Sequence, residues 1–397
     1  MRSGFKVADV FGIEIRIDWS WILIFLLVTW QLITVFGDVH PNWTNGLRWG
    51  IALAAALLFF ASVLAHELAH SLTARAQGMP VRRITLFLFG GVSNLERHPP
   101  SPRAEFLITI VGPATSIVLG VIFLALGSLQ AGSLSASMSN PTGALQQLGP
   151  LATLLFWLGP VNILVGIFNL IPGFPLDGGR VLRSILWAIT DNLTQATRWA
   201  SFIGQGVAWL FIAAGIAMAF GIRIPFFGQG LLSGLWLAFI GWFLNSASSQ
   251  SYQQILVEDI LEDVPVSRVM RKNPPTVPPT SSIYSLVHDH IMGTDDHSFP
   301  VVDDDGKLLG LVTLDDVREI SRNKWQTTTI KQAMTPAEDL ITISPDAQAH
   351  EALSKLRQRD VGQIPVLDNG ELVGLIRRQD IVRYLQLQSD RKHALGT

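Results

Sequence analysis

His66-Glu67-Leu68-Ala69-His70 closes an apolar run that begins at Ile51. On a helix the two imidazoles stand one turn apart on one face, able to share a metal ion. Glu67 sits beside them, where it can take a proton from a water. Ionisable groups next to a membrane-length apolar segment are costly to bury, which makes them functional by default. Two histidines leave a hydrolytic zinc site short of a ligand, because catalytic zinc usually takes three protein ligands plus water. The chain has no cysteine, so disulfides, a cysteine nucleophile and thiolate sites are excluded, and the missing ligand must be His, Asp or Glu. Asp177 is the best choice, in Asn169-Leu170-Ile171-Pro172-Gly173-Phe174-Pro175-Leu176-Asp177-Gly178-Gly179-Arg180. Taken alone, Leu-Asp-Gly-Gly is good turn chemistry. Pro172, Gly173 and Pro175 prevent regular helix before it, and irregular backbone at membrane depth is tolerated where it lines a cavity. Asn169 can donate to a peptide carbonyl or its oxyanion, with an interhelical hydrogen bond as the equal alternative; for Asn162 the interhelical bond is the expectation.

The elements that must position these residues are membrane spans. Of 397 residues 49% are hydrophobic and only 15% charged, too apolar for an ordinary soluble enzyme. Residues 19–245 carry few charges, whereas 250–397 have the composition of a water-soluble domain. A net charge of −2 without a long basic patch gives no reason to expect nucleic-acid binding. Six segments reach or nearly reach bilayer length, at 19–36, 49–72, 106–128, 150–172, 201–220 and 229–245, the fourth interrupted by Gly159-Pro160. No small-residue cleavage site closes the first, which reads as a retained anchor. With the N-terminus inside, Arg2, Lys6, Arg16, Arg75, Arg82, Arg83, Arg97, Arg103, Arg180, Arg183 and Arg198 fall on the inner side, against Arg48 and Arg223 outside. That bias predicts both termini in the cytoplasm. Segments two and four then run the same way, which places the histidines and Asp177 at similar depth near the cytoplasmic side. Between segments two and three, Arg82 to Phe89 is β-branched and aromatic and breaks at Gly90-Gly91, the pattern of a strand with a sharp turn.

Residues 246–263 start Ser-Ala-Ser-Ser-Gln-Ser, lead into a mixed helix-like stretch and read as a tether. Beyond it lies an internal repeat, 264–323 and 327–390, in which Met270 matches Met334, Pro300 matches Pro365, Gly310 matches Gly374 and Asp316 matches Asp380. Each copy reads as strand, helix, strand, turn, strand, helix. Neither buries its sheet well alone, so the pair is expected to pack as one pseudo-symmetric α/β module behind a polytopic α-helical domain, 1–245.

The histidine pair together with Asn169-x-x-Pro172-x-x-Pro175-Leu176-Asp177-Gly178-Gly179-Arg180 resembles the site-2 proteases, intramembrane zinc metalloproteases. The repeat resembles the cystathionine-β-synthase-type (CBS) domain pair carried by one branch of that family. The resemblance implies His66, His70 and Asp177 as Zn2+ ligands, Glu67 as general acid/base, and Asn169 as a catalytic residue that supports substrate or transition state. It also implies that Gly90 and Gly91 belong to a segment that pairs an unwound substrate edge-on. The physical need is real: a transmembrane helix hides its peptide bonds in its own hydrogen bonds, so hydrolysis requires unwinding and a surrogate strand. In the CBS pair, Gly310-Leu311-Val312-Thr313-Leu314-Asp315-Asp316 fits the family's nucleotide motif, with Asp316 at the ribose of an adenine nucleotide (ATP, ADP or AMP) and Thr313 at a phosphate. The second copy has Arg377 where Thr or Ser is usual; there Asp380 is left to bind ribose and Arg377 to reach a phosphate. A ligand-free pair, structural or dimerising, is the alternative.

These features lead to an expected six-helix zinc endopeptidase in a prokaryotic cell membrane, with its CBS pair in the cytoplasm. Its substrate would be a single-pass transmembrane protein, and association of CBS pairs would make it a homodimer. The runner-up is a CBS-regulated transporter or channel, but no second set of intramembrane charges forms a pathway and no inverted repeat is evident.

Overall fold

A computed structural model describes residues 4–87, 90–95, 99–131, 146–225, 227–292, 294, 296–359 and 361–394. Arg2, Leu88, Phe89 and Arg97, used in the topology and strand readings above, lie outside the described residues. The chain divides into two compact units, Met1–Gln253 and Gln254–Thr397.

The first unit opens with a hairpin, β1 (Phe5–Val10) and β2 (Ile13–Ile17), that the sequence reading passes over. Its signal is the alternation Ile13, Ile15, Ile17 against Glu14 and Arg16, the period of a half-buried strand. After α1 (Trp19–Val39), capped by Asp18 accepting from the Ser20 amide, and α2 (Asn45–Ala76), the chain forms β3 (Val81–Phe87) and β4 (Gly90–Leu95). The sheet order is β1-β2-β3-β4, with β2 and β3 parallel and the outer pairs antiparallel. Ile13, Ile15, Ile84 and Leu86 are buried on one face against Leu64 and Leu68 of α2, so the sheet leans on the turns that carry the two histidines.

Four further long helices follow, α3 (Pro102–Ala131), α4 (Pro150–Asn169), α6 (Leu193–Ala219) and α7 (Leu231–Glu262), with the shorter α5 (Asp177–Thr190) between α4 and α6. Six of these helices, α1 to α4, α6 and α7, are long and apolar enough to cross a membrane. Leu26, Trp30, Leu57, Leu129, Leu210 and Leu232 stand exposed on them, a surface that water would not tolerate and that lipid covers. Small residues let the helices approach where lipid offers no hydrophobic drive to pack: a Cβ on Gly120 of α3 would come within 2.6 Å of the Gly159 carbonyl of α4.

Two local readings change. α4 runs unbroken through Pro160 and ends at Asn169, because close packing on α3 accommodates a proline that would break a solvated helix. Asp177 does not sit in a turn but begins α5. Residues 246–262 continue α7 in helical form, as the helix-like part of that stretch led one to expect.

The second unit holds two small sheets. Strands β6 (Ser298–Val302) and β7 (Leu308–Thr313) make one hairpin, β9 (Gln363–Asp368) and β10 (Glu371–Arg377) the other. Each gains its third strand from the opposite copy: β5 (Arg271–Lys272) pairs with β10, and β8 (Thr335–Pro336) pairs with β7. The repeat-equivalent residues explain themselves in this exchange. A Cβ on Gly374 would stand 2.6 Å from Met270 Sδ, and one on Gly310 would stand 2.8 Å from Met334 Sδ. Two apolar cores result, one around Phe299, Val301 and Val312 and one around Ile364, Val366 and Ile376. Helices α8 (Leu314–Glu319), α9 (Ala349–Gln358) and α10 (Arg378–Ala394) flank the strands.

Candidate metal centre

α2 carries His66 and His70 on one face, and the loop between α4 and α5 returns Asp177 to them. His66 Nε2 and His70 Nε2 lie 3.1 Å apart, and Asp177 Oδ2 lies 3.1 and 3.2 Å from them respectively. His66 is buried and the other two are nearly so. Two ligands about 2.05 Å from a tetrahedral ion are separated by about 3.3 Å, so the spacing fits a shared zinc closely.

The ring orientations fit as well. His70 Nδ1 donates to the Ile108 carbonyl at 2.6 Å, which leaves a lone pair on Nε2 of the neutral ring. Ser116 Oγ stands 2.9 Å from His66 Nδ1 and can accept its proton in the same manner. Lone pairs from two imidazoles and a carboxylate then converge, an arrangement that repels itself unless a cation sits among them. The backbone leaves that space open. A Cβ on Gly112 would overlap His70 Nε2 and come within 2.7 Å of His66 Nε2. The donor set and its cradle therefore suit Zn2+.

The segment before Asp177 is fixed by contact rather than by regular structure. A Cβ on Gly178 would overlap the Leu170 and Ile171 carbonyls, and one on Gly179 would lie 2.6 Å from the Phe174 amide nitrogen. The two glycines let the first turn of α5 press onto its own loop. Ser248 of α7 donates to the Phe174 carbonyl at 3.0 Å and holds the loop from the other side.

Glu67 is half-buried and faces the sheet edge. A Cβ on Gly91 would overlap Glu67 Cγ and lie 2.9 Å from Cδ, so the first residues of β4 run against this carboxylate. Gly90, at φ +129°, occupies backbone space that side chains rarely adopt, which lets β4 begin there. Among the described residues β4 pairs only with β3, and its other edge is open. Asn169, at the end of α4, donates to Val165 O at 3.0 Å within its own helix, and Asn162 likewise donates to Leu158 O at 2.9 Å. Among the described residues neither forms the interhelical bond considered above, because the carbonyl four residues back is the nearer acceptor.

Sequence reasoning missed a buried ion cluster beside this site. Arg183 donates to Glu105 Oε1 through Nε at 2.9 Å and also through Nη2, and Arg180 Nε lies 3.8 Å from the same oxygen. Arg180 also feels the charges of Asp177 and Glu67. These two arginines, counted above as inner-side loop charges, are therefore part of a packed helix interface. The usable signal was their i, i+3 spacing in an apolar stretch, with Glu105 an isolated carboxylate near the start of another.

In the second unit Thr313 and Asp316 form a reciprocal N-cap of α8, in which Asp316 Oδ2 accepts from Thr313 N at 2.7 Å and Oγ1 at 2.8 Å. Asp380 is engaged by Arg377 through both carboxylate oxygens, each at 2.8 Å, and Arg377 also reaches Asp296 at 3.2 Å. Arg377 thus spends its guanidinium on two carboxylates. Two clefts of about 500 and 600 Å³ adjoin it; the first is lined by Arg268, Arg271, Arg383 and Asp380 and the second by Asp296, Arg378 and Arg383.

Residues 54–213 match the model of peptidase family M50, and residues 266–323 and 330–387 each match that of the CBS domain. A chain of Synechocystis sp. named "Putative zinc metalloprotease" is 34% identical over 390 residues, covering 97% of this chain and 96% of that one. Rip3 of Mycobacterium tuberculosis, which carries the same description, is 32% identical over 392 residues, covering 98% and 94%. The solved site-2 protease from Methanocaldococcus jannaschii is 25% identical, covers 63% of this chain and 95% of that one, and superposes with a TM-score of 0.40. The chain belongs to peptidase family M50, the site-2 protease family of zinc metalloproteases, and carries a C-terminal CBS pair. It is an enzyme of the membrane, and the transporter reading is not favoured.

Proposed function

We propose that this chain is an intramembrane zinc endopeptidase that hydrolyses peptide bonds within or near the helices of single-pass transmembrane proteins. The carrying observation is the convergence of His66, His70 and Asp177, whose ligand atoms all lie within 4.8 Å of one another, beside Glu67 and the open edge of β4.

The first two steps use the chain's own backbone. Substrate unwinds locally and hydrogen-bonds along β4 at Gly90 and Gly91, which exchanges its internal helix bonds for strand bonds at little net loss. Side chains on β4 near its start would crowd Glu67, which is why glycine suits Gly91. His66, His70 and Asp177 would hold Zn2+, which would supply Lewis acidity, lowering the pKa of water toward neutrality. Glu67 accepts the proton of the attacking water, the water oxygen bonds to the scissile carbon, and Glu67 returns the proton to the amine nitrogen as the C–N bond breaks. Asn169 has a second amide hydrogen for the carbonyl oxygen as negative charge develops on it. Water must reach this point from the cytoplasmic side, because the hydrocarbon core holds none.

The CBS pair would regulate access by binding an adenine nucleotide in the cytoplasm, with Thr313, Asp316 and Asp380 as its contacts. A homodimer through these domains accords with the same reading. The activity is tested by replacing Glu67 with Gln, which preserves shape and removes the base. Purified Glu67→Gln should keep stoichiometric zinc, and the membrane fraction of cells bearing it should accumulate uncut transmembrane proteins relative to wild type. Undiminished cleavage by that variant would refute the assignment.

A further inference from the structure

All three proposed ligands are held from behind by one stripe of one helix. α3 presents Glu105, Ile108, Gly112 and Ser116 at steps of three, four and four residues, which puts them on a single face. Ser116 meets His66 Nδ1 at 2.9 Å, the Ile108 carbonyl takes the His70 Nδ1 proton at 2.6 Å, and Gly112 leaves the gap between the two Nε2 atoms. Glu105, at the end of the stripe, serves the third ligand indirectly. It is fully buried, and Arg183 and Arg180 both point to its Oε1 while Oε2 has no hydrogen-bond partner among the described residues. Those arginines stand on α5, six and three residues beyond Asp177.

We propose that Glu105 is a positioning residue: through Arg183 and Arg180 it sets the height of α5 against α3, so that Asp177 meets the two imidazoles. This rests on the reading of the trio as a zinc site. A buried ion pair is a poor device for stability alone, since apolar residues of similar volume usually stabilise as well or better. Convergence of two guanidiniums on one carboxylate oxygen instead fixes a register between α5 and α3, which the contacts of α5 with its own loop do not specify. Glu105 touches no ligand atom, so its effect must appear in the geometry and affinity of the metal rather than in proton transfer.

The test uses the full chain in nanodiscs, stripped of metal and titrated with Zn2+ against a chelator, with Co2+ as a spectroscopic probe of coordination. In the double variant Glu105→Gln with Arg183→Met the buried pair is removed whole, and the remaining Arg180 is partly exposed, so its charge keeps access to solvent. Metal-free, it should melt near wild type, yet bind zinc roughly 10–100-fold more weakly, the usual cost of losing an outer-shell support. Its cobalt absorption bands should shift. Arg183→Lys keeps the charge but loses the two-nitrogen grip, and should fall between the two. Zinc affinity and cobalt bands equal to wild type in the double variant would overturn the proposal and leave Glu105 a packing residue. Should the double variant not fold, Arg183→Lys decides on the same two readings, with unchanged values counting against. Asp177→Ala is the separate control: if it too binds zinc like wild type, the metal-site reading itself fails.

Discussion

A methyl group at position 112 would lie where the two imidazoles face each other, overlapping one and within 2.7 Å of the other's Nε2. Gly112→Ala should therefore lose stoichiometric zinc, measured by elemental analysis of purified protein, although alanine is the better helix former by roughly 1 kcal/mol. Gly46, with open space around it, is the control: Gly46→Ala should keep its zinc. Wild-type zinc content in Gly112→Ala would mean the ion does not bind between the rings. At this scale the sequence is legible only where the chemistry is local. His66, Glu67 and His70 announce themselves because one helical turn relates them. Asp177 was found by its motif, whereas the glycines after it, which taken alone would suit a turn, serve a helix pressed onto a loop. Gly112, Ser116 and Glu105 gave little warning, because each matters only through the register of α3 against α2 and α5, and no pattern within α3 encodes that register.

Elements show the same division. The six long helices were readable from composition and length, since lipid imposes a simple rule on any segment that crosses it. The β1–β2 hairpin was overlooked although Ile13, Ile15 and Ile17 alternate with charges; a short strand pattern before a strong apolar run is easily taken for a flank. In the CBS pair, the Thr313–Asp316 cap and the Arg377–Asp380 pair decide which end can take a ligand. Asp316 commits Oδ2 to the cap, whereas Asp380 has both oxygens bound by Arg377. Calorimetry of the full chain with ATP should therefore lose more of its heat in Asp316→Ala than in Asp380→Ala. The reverse order would move the ligand to the arginine-lined cleft beside Asp380. Removing the cap also costs the helix about 1 kcal/mol, so melting curves must accompany the titration.

For the molecule as a whole, the inner-side excess of arginine predicts a cytoplasmic CBS pair, though Arg180 and Arg183 contribute less to that bias than their count suggests, being bound to Glu105. A chain with no cysteine allows a clean check. Asn323→Cys, exposed in the second unit, should react with a membrane-impermeant maleimide only after cells are opened, and Gly46→Cys, beside the α1–α2 loop, should react in intact cells. Labelling with the opposite sidedness would invert the proposed orientation.

The exchanged strands β5 and β8 also set an order of events during synthesis. The hairpin of β6 and β7 waits for Thr335 and Pro336 to emerge from the ribosome before its sheet is complete. Arg271 and Lys272, made much earlier, have no partner until β10 arrives near the C-terminus. Neither copy can finish ahead of its sibling, so the pair should mature late and together, after the membrane helices have been handed to the translocation machinery.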